Sequence, residues 1–80
     1  MRKAYWEGYI ELNNDRGLER IEIYSDPPFV DIYVNDELAD DVEDKAYFAD
    51  EYGSRFYKTL EDYKADNWLS IDEVWPQEGN

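Results

Sequence analysis

The stretch Ala4-Tyr5-Trp6-Glu7-Gly8-Tyr9-Ile10-Glu11-Leu12 alternates along its whole length. Trp6, Gly8, Ile10 and Leu12 fall on one side of an extended chain; Tyr5, Glu7, Tyr9 and Glu11 fall on the other. Successive strand residues point to opposite faces, so residues 4–12 read as a strand with one face for a core and one for water. Asn13-Asn14-Asp15-Arg16-Gly17 follows, a cluster of residues that tolerate turn conformations. Leu18 to Tyr24 then alternates again, with Ile21 and Ile23 inward and Arg20, Glu22 and Tyr24 outward, which completes a hairpin.

Ser25-Asp26-Pro27-Pro28 interrupts the pattern, because proline cannot donate a ladder hydrogen bond. Phe29 to Val34 is a third strand, with Val30, Ile32 and Val34 inward and Phe29, Asp31 and Tyr33 outward; Asn35-Asp36 ends it. From Glu37 the period lengthens. Tyr52, Phe56, Leu60 and Tyr63 recur near helical spacing, with Leu38, Val42 and Phe48 as upstream continuations. The expectation is a helical region over 37–65: a short helix or irregular acidic segment over 37–44, then a main helix from Lys45 to Tyr63. Gly53 either divides that helix or only weakens it. At residues 68–75 the sequence supports two readings. Ser70 and Glu73 match a capping box with Ile71, Val74 and Trp75 on one helical face, yet Trp68-Leu69-Ser70-Ile71 also suits a short strand. The expected fold is α+β, a single compact domain over residues 1–80, with an antiparallel meander of three or four strands packed on one main helix.

At 80 residues the chain has room for one core. Hydrophobic residues make up 42% and aromatic residues 18%, which is enough apolar material to fold despite a net charge of −13. That charge, from 21 acidic against 8 basic residues, opposes binding to nucleic acid or to an anionic membrane. No apolar run is long enough for a transmembrane helix, and Met1-Arg2-Lys3 leads into no apolar signal segment, so a cytoplasmic location is expected. The chain has no cysteine and no histidine, so zinc sites and histidine-based acid–base catalysis lose their usual residues. Its glycines are too scattered for a phosphate loop, and no hydroxyl has a histidine to activate it. The expectation is a protein that is not an enzyme and uses no cofactor.

Two features carry a binding function. The run Asp36-Glu37-Leu38-Ala39-Asp40-Asp41-Val42-Glu43-Asp44 is single-signed until Lys45. On a helix, Asp36, Asp40 and Asp44 would stack at about 6 Å spacing, an arrangement that weakens a helix by roughly 0.2–0.5 kcal/mol per pair. Such a run, in which Glu37, Asp41 and Glu43 take part, serves either as a solvated face or as a row of carboxylates standing in for phosphates. The second feature is the polar sheet face, where Tyr5, Glu7, Tyr9, Glu22, Tyr24, Asp31 and Tyr33 interleave rings with carboxylates. Tyrosine offers contact area at low entropy cost, although it is also a good strand former. A stacking platform for single-stranded nucleic acid needs a basic groove beside its rings, and no such groove is visible in the sequence. A third pattern, Asp62 to Glu73, spaces Asp62, Asp66, Ser70 and Glu73 like a degenerate EF-hand calcium loop. Lys64 stands at a ligand position there, and Asn67 replaces the turn glycine.

In size, acidity, aromatic richness and absence of cysteine, the chain resembles the small acidic phage proteins that block bacterial defence, the anti-CRISPR and anti-restriction DNA mimics. The resemblance implies an inhibitor whose carboxylates imitate nucleic-acid phosphates on a basic nucleic-acid-binding surface, such as a CRISPR effector complex or a restriction enzyme, in the bacterial host cytoplasm. It carries no residue-by-residue motif. An immunity protein or antitoxin against a toxin nuclease, a non-inhibitory adaptor and a weak calcium-binding module are the alternative readings.

Overall fold

The described residues form three short helices and five strands, more than the three or four strands expected. A computed structural model describes residues 3–12, 17–26, 29–39, 45–52 and 55–76. The elements run β1 (Trp6–Glu11), β2 (Leu18–Asp26), β3 (Phe29–Val34), β4 (Glu37–Leu38), α1 (Lys45–Tyr52), β5 (Arg55–Tyr57), α2 (Leu60–Lys64) and α3 (Ile71–Val74). The strands form one antiparallel sheet in the order β4-β3-β2-β1-β5. Its first three strands are the meander expected from alternation. Residues 13–16, where a turn is expected, and Pro27-Pro28 lie outside the described residues.

Register explains the burial. Trp6 faces Ile23, Gly8 faces Ile21, and Ile23 in turn faces Ile32. These inward residues, with Ile10 and Leu12, are buried in a core that also takes Phe48 of α1, Phe56 of β5 and Val74 and Trp75 at α3. Rings dominate this core. Phe48 stacks on Tyr52 at 4.9 Å and contacts Trp75 at 5.6 Å, while the Trp6 and Phe56 rings meet edge to face at 5.7 Å. Large rings let a short chain bury area with few residues. An ion pair between Lys45 and Asp72 ties the start of α1 to α3.

The expected 45–63 helix is divided. α1 ends at Tyr52, β5 joins the sheet beside β1, and α2 begins afresh at Leu60. Adjacent residues Phe56 and Tyr57 are both buried on opposite sides of the sheet, which a strand permits and one helical stripe does not. Thr59 is extended (φ −137°, ψ 165°), and its Oγ1 accepts a hydrogen bond from the Asp62 N–H at 3.1 Å. An N-cap of this kind starts a helix and cannot sit inside one. The apparent helical spacing is therefore shared among three elements: Tyr52 on α1, Phe56 on β5, and Leu60 and Tyr63 exposed on α2.

Residues 37 and 38 are also corrected, from helix or irregular segment to strand. Asn35 (φ 57°) and Asp36 (φ 69°) both take positive φ, and Val34 faces Glu37 across them. Two such residues between paired strands are the signature of a type I′ hairpin turn. Of the two readings of the C-terminal segment the helix is the one that forms, and the strand is reduced to a single bridge at Leu69. Leu69 and Phe56 exchange backbone hydrogen bonds as an isolated bridge, and Ser70 then begins α3, its N–H and Oγ donating to Glu73 Oε1 at 3.0 and 3.1 Å.

Candidate functional site

The outward side chains of the sheet lie in rows set by strand register. Asp31 faces Tyr24. Leu38, Tyr33, Glu22 and Glu7 form the next row across four strands. Arg20, Tyr9 and Tyr57 form a third, and Leu18, Glu11 and Arg55 a fourth. The bridge from Phe56 to Leu69 carries the third row on to Trp68, whose ring lies 5.3 Å from the Arg55 guanidinium. Tyr5 precedes β1, is half exposed, and donates its N–H to the Ile23 carbonyl at 2.7 Å.

Arg20 is the electrostatic centre of this face. Its guanidinium lies 3.2 Å from Glu22, 3.8 Å from Asp36 and 3.9 Å from Glu7. The hydrogen bond and charge of Glu22 hold the guanidinium above its ordinary pKa. Glu22 also accepts from the Tyr24 hydroxyl at 3.2 Å, and the Tyr24 and Tyr33 rings meet edge to face at 5.6 Å. Near β5, the Tyr57 hydroxyl donates to Glu11 at 3.2 Å, and the Tyr63 ring of α2 stands edge-on to Tyr57 at 5.2 Å. Both phenols titrate above the usual tyrosine range, first because of burial and then because of the carboxylate each donates to. At neutral pH both phenols carry their protons and donate them to these carboxylates.

The sequence-expected face is thus brought together. Glu7, Tyr9, Glu22, Tyr24, Asp31 and Tyr33 share one side of the sheet. Of the acidic run, Asp36 and Glu37 do not take the helical positions expected of them. Asp36 sits in the β3–β4 turn within reach of Arg20, and Glu37 pairs with inward-facing Val34, so neither belongs to a helical stack. Asp40, Asp41, Glu43 and Asp44 lie outside the described residues. The Asp62 to Glu73 spacing does not converge either: Asp62 accepts from Thr59 Oγ1 at 3.1 Å, and Glu73 is engaged by Ser70. Among the described residues, no three potential ligands gather where they could hold a metal ion.

Sequence reasoning missed Leu38, Arg55 and Tyr57 as members of this face because it placed them in the helical region, and it left Trp68 open between a short strand and the approach to a helix. The missing signals were local. Thr59-Leu60-Glu61-Asp62 is itself a capping pattern, and Asn35-Asp36 suits a two-residue hairpin. The face now presents Glu7, Glu11, Glu22, Asp31 and Asp36 against Arg20 and Arg55, interleaved with rings. Such a surface recognises by charge, hydrogen bonding and ring contact. Among the described residues, no helix is long and apolar enough to cross a membrane. The chain matches no protein-family model, and no curated protein or solved structure matches it, so the chemistry of this face carries the functional reading.

Proposed function

We propose that this protein is a non-catalytic inhibitor that occupies a basic, nucleic-acid-binding protein surface, its carboxylates taking the place of phosphates. The observation that supports this reading is the outward sheet face, where tyrosines and carboxylates alternate across four adjoining strands. A phosphate-binding groove is lined with Lys and Arg, and much of its affinity for nucleic acid comes from charge. The carboxylates of this face match that groove in sign, and the net charge of −13 speeds the encounter. Tyr9, Tyr24 and Tyr33 supply the contact area that charge alone does not, in the manner of aromatic anchors at protein interfaces. Arg20 has an internal role here: it gathers Glu7, Glu22 and Asp36 and lowers their mutual repulsion.

A CRISPR effector complex or a restriction enzyme is the class of target that fits this chemistry. The test is displacement of DNA from such a complex at increasing salt. Inhibition is expected to weaken steeply with salt and to fall at least tenfold in Tyr24→Ala and Tyr33→Ala, the loss typical of interface anchors. Failure of the protein to displace DNA from any such basic surface, or inhibition indifferent to salt, overturns the reading.

A further inference from the structure

Among the described residues, β1 is paired along only half of its outer edge. Tyr9 and Glu11 face Tyr57 and Arg55 of β5, but Lys58 and Thr59 then lead into α2, and nothing described continues the ladder toward Tyr5. Hydrogen-bond direction alternates along an antiparallel strand. Leu12 donates to Gly17 on the β2 side, and Phe56 exchanges its bonds with Leu69, so Tyr9 and Glu11 bond toward β5. Glu7 shares their parity. Its backbone N–H and C=O therefore point off the sheet edge, and among the described residues no group pairs with them, whereas the Tyr5 N–H turns back to the Ile23 carbonyl of β2 at 2.7 Å. A groove of about 370 Å³ runs along this edge, lined by Tyr5, Glu7, Gly8, Tyr9, Arg20 and Lys58.

We infer that this half-open edge of β1 is a strand-addition site for an extended, basic segment of a partner protein, with a Lys or Arg placed opposite Glu7. The inference rests on the proposed function and specifies how the basic partner docks. Glu7 precedes Tyr9 by two residues on the outward side, so a cationic side chain opposite it has a carboxylate for its head and the Tyr9 ring for its stem. Arg20 approaches the Glu7 carboxylate only to 3.9 Å and more than half of the Glu7 side chain is exposed, so a second cation can reach it. On the inward side, Lys58 lies 5.8 Å from the Trp6 ring and disfavours a second cation there. The segment therefore alternates cationic with uncharged residues. A second copy of this chain is the poorer occupant. Two-fold antiparallel pairing through this edge sets Glu7 against its own counterpart and brings two charges of −13 together.

The probe is a synthetic peptide, Thr-Val-Lys-Val-Lys-Val-Thr, titrated into the 80-residue chain and followed by amide NMR and hydrogen exchange. The Glu7 amide is expected to shift and its exchange to slow. Glu7→Ala keeps the N–H and loses the charge, whereas Glu7→Pro loses both at an edge position where proline leaves the β1–β2 ladder intact. Glu7→Pro is expected to bind about tenfold more weakly than Glu7→Ala, the loss set by the missing backbone bond. Equal affinities of the two variants, peptide binding with an unmoved Glu7 amide in the wild-type chain, or no binding overturns the inference. Protection of the Glu7 amide in a self-associated state without peptide assigns the edge to a second copy and overturns it too. Purified core histones separate the two levels of the argument. Binding that Tyr24→Ala weakens, with Glu7 exchange unchanged, sinks the edge and keeps the basic-surface reading; absence of histone binding at low salt counts against that reading itself.

Discussion

A methyl group at Gly8 would strike the Trp6 indole and lie 2.5 Å from the Tyr57 carbonyl oxygen. Trp6 is able to lie across β1 because the residue two places on has no side chain. Gly8→Ala is therefore expected to cost about 1–3 kcal/mol, the usual penalty of overpacking, measured by chemical denaturation. Tyr57 makes a second residue-level case. Its phenol is held protonated above the ordinary tyrosine value, as is that of Tyr24, by burial and a carboxylate acceptor. The folded chain thus keeps these protons at a pH where the unfolded chain has begun to lose them. The resulting stability is fully present below about pH 10, the unfolded tyrosine value, and is lost as pH rises through the higher folded values. Ultraviolet titration should show these two tyrosines ionising late, and Tyr57→Phe should remove one late phase. The same substitution should cost about 0.5–1.5 kcal/mol, the worth of a lost hydrogen bond.

At the level of elements, alternation was the legible signal, and where it was long it sufficed. Residues 4–12, 18–24 and 29–34 each carry enough period-two residues to specify strand, face and neighbour. β5 spans Arg55–Tyr57 and β4 only Glu37–Leu38, too short for a period to show; each owes its place to what flanks it. Thr59 caps α2 behind β5, and the Asn35-Asp36 turn folds β4 back on β3. For the same reason the Tyr and carboxylate face was readable on β1 to β3, while its extension through Leu38, Tyr57 and Trp68 was not. The turn can be tested directly. Left-handed backbone costs a residue with a side chain roughly 1–2 kcal/mol, and less for Asp, so Asp36→Gly should stabilise the hairpin by up to about 1 kcal/mol. Thr59→Ala should cost about 1 kcal/mol through the lost cap, and amide exchange should quicken in α2 before it does in β1 and β2.

For the molecule as a whole, one quantity acts in opposite directions on folding and on binding. A net charge of −13 on 80 residues repels itself more strongly when the chain is compact than when it is extended. Raising salt from about 0.01 M to about 0.15 M shortens the Debye length from about 30 Å to about 8 Å, shorter than most separations across a domain of this size. The thermal midpoint should therefore rise over that range, because most of the repulsion is long-range and screened. The close contacts of Arg20 with Glu22, Glu7 and Asp36 work against this trend, but partly exposed pairs of this kind contribute only about 0–1 kcal/mol each. Over the same range, affinity for a basic partner should fall, since the charge that destabilises the free protein is neutralised in the complex. Midpoint and affinity measured in one salt series thus separate two roles for acidity. If both rise together, the charge maintains solubility and the partner is not basic. If the midpoint rises while the affinity falls, the protein gives up stability in isolation for charge that only a cationic surface compensates.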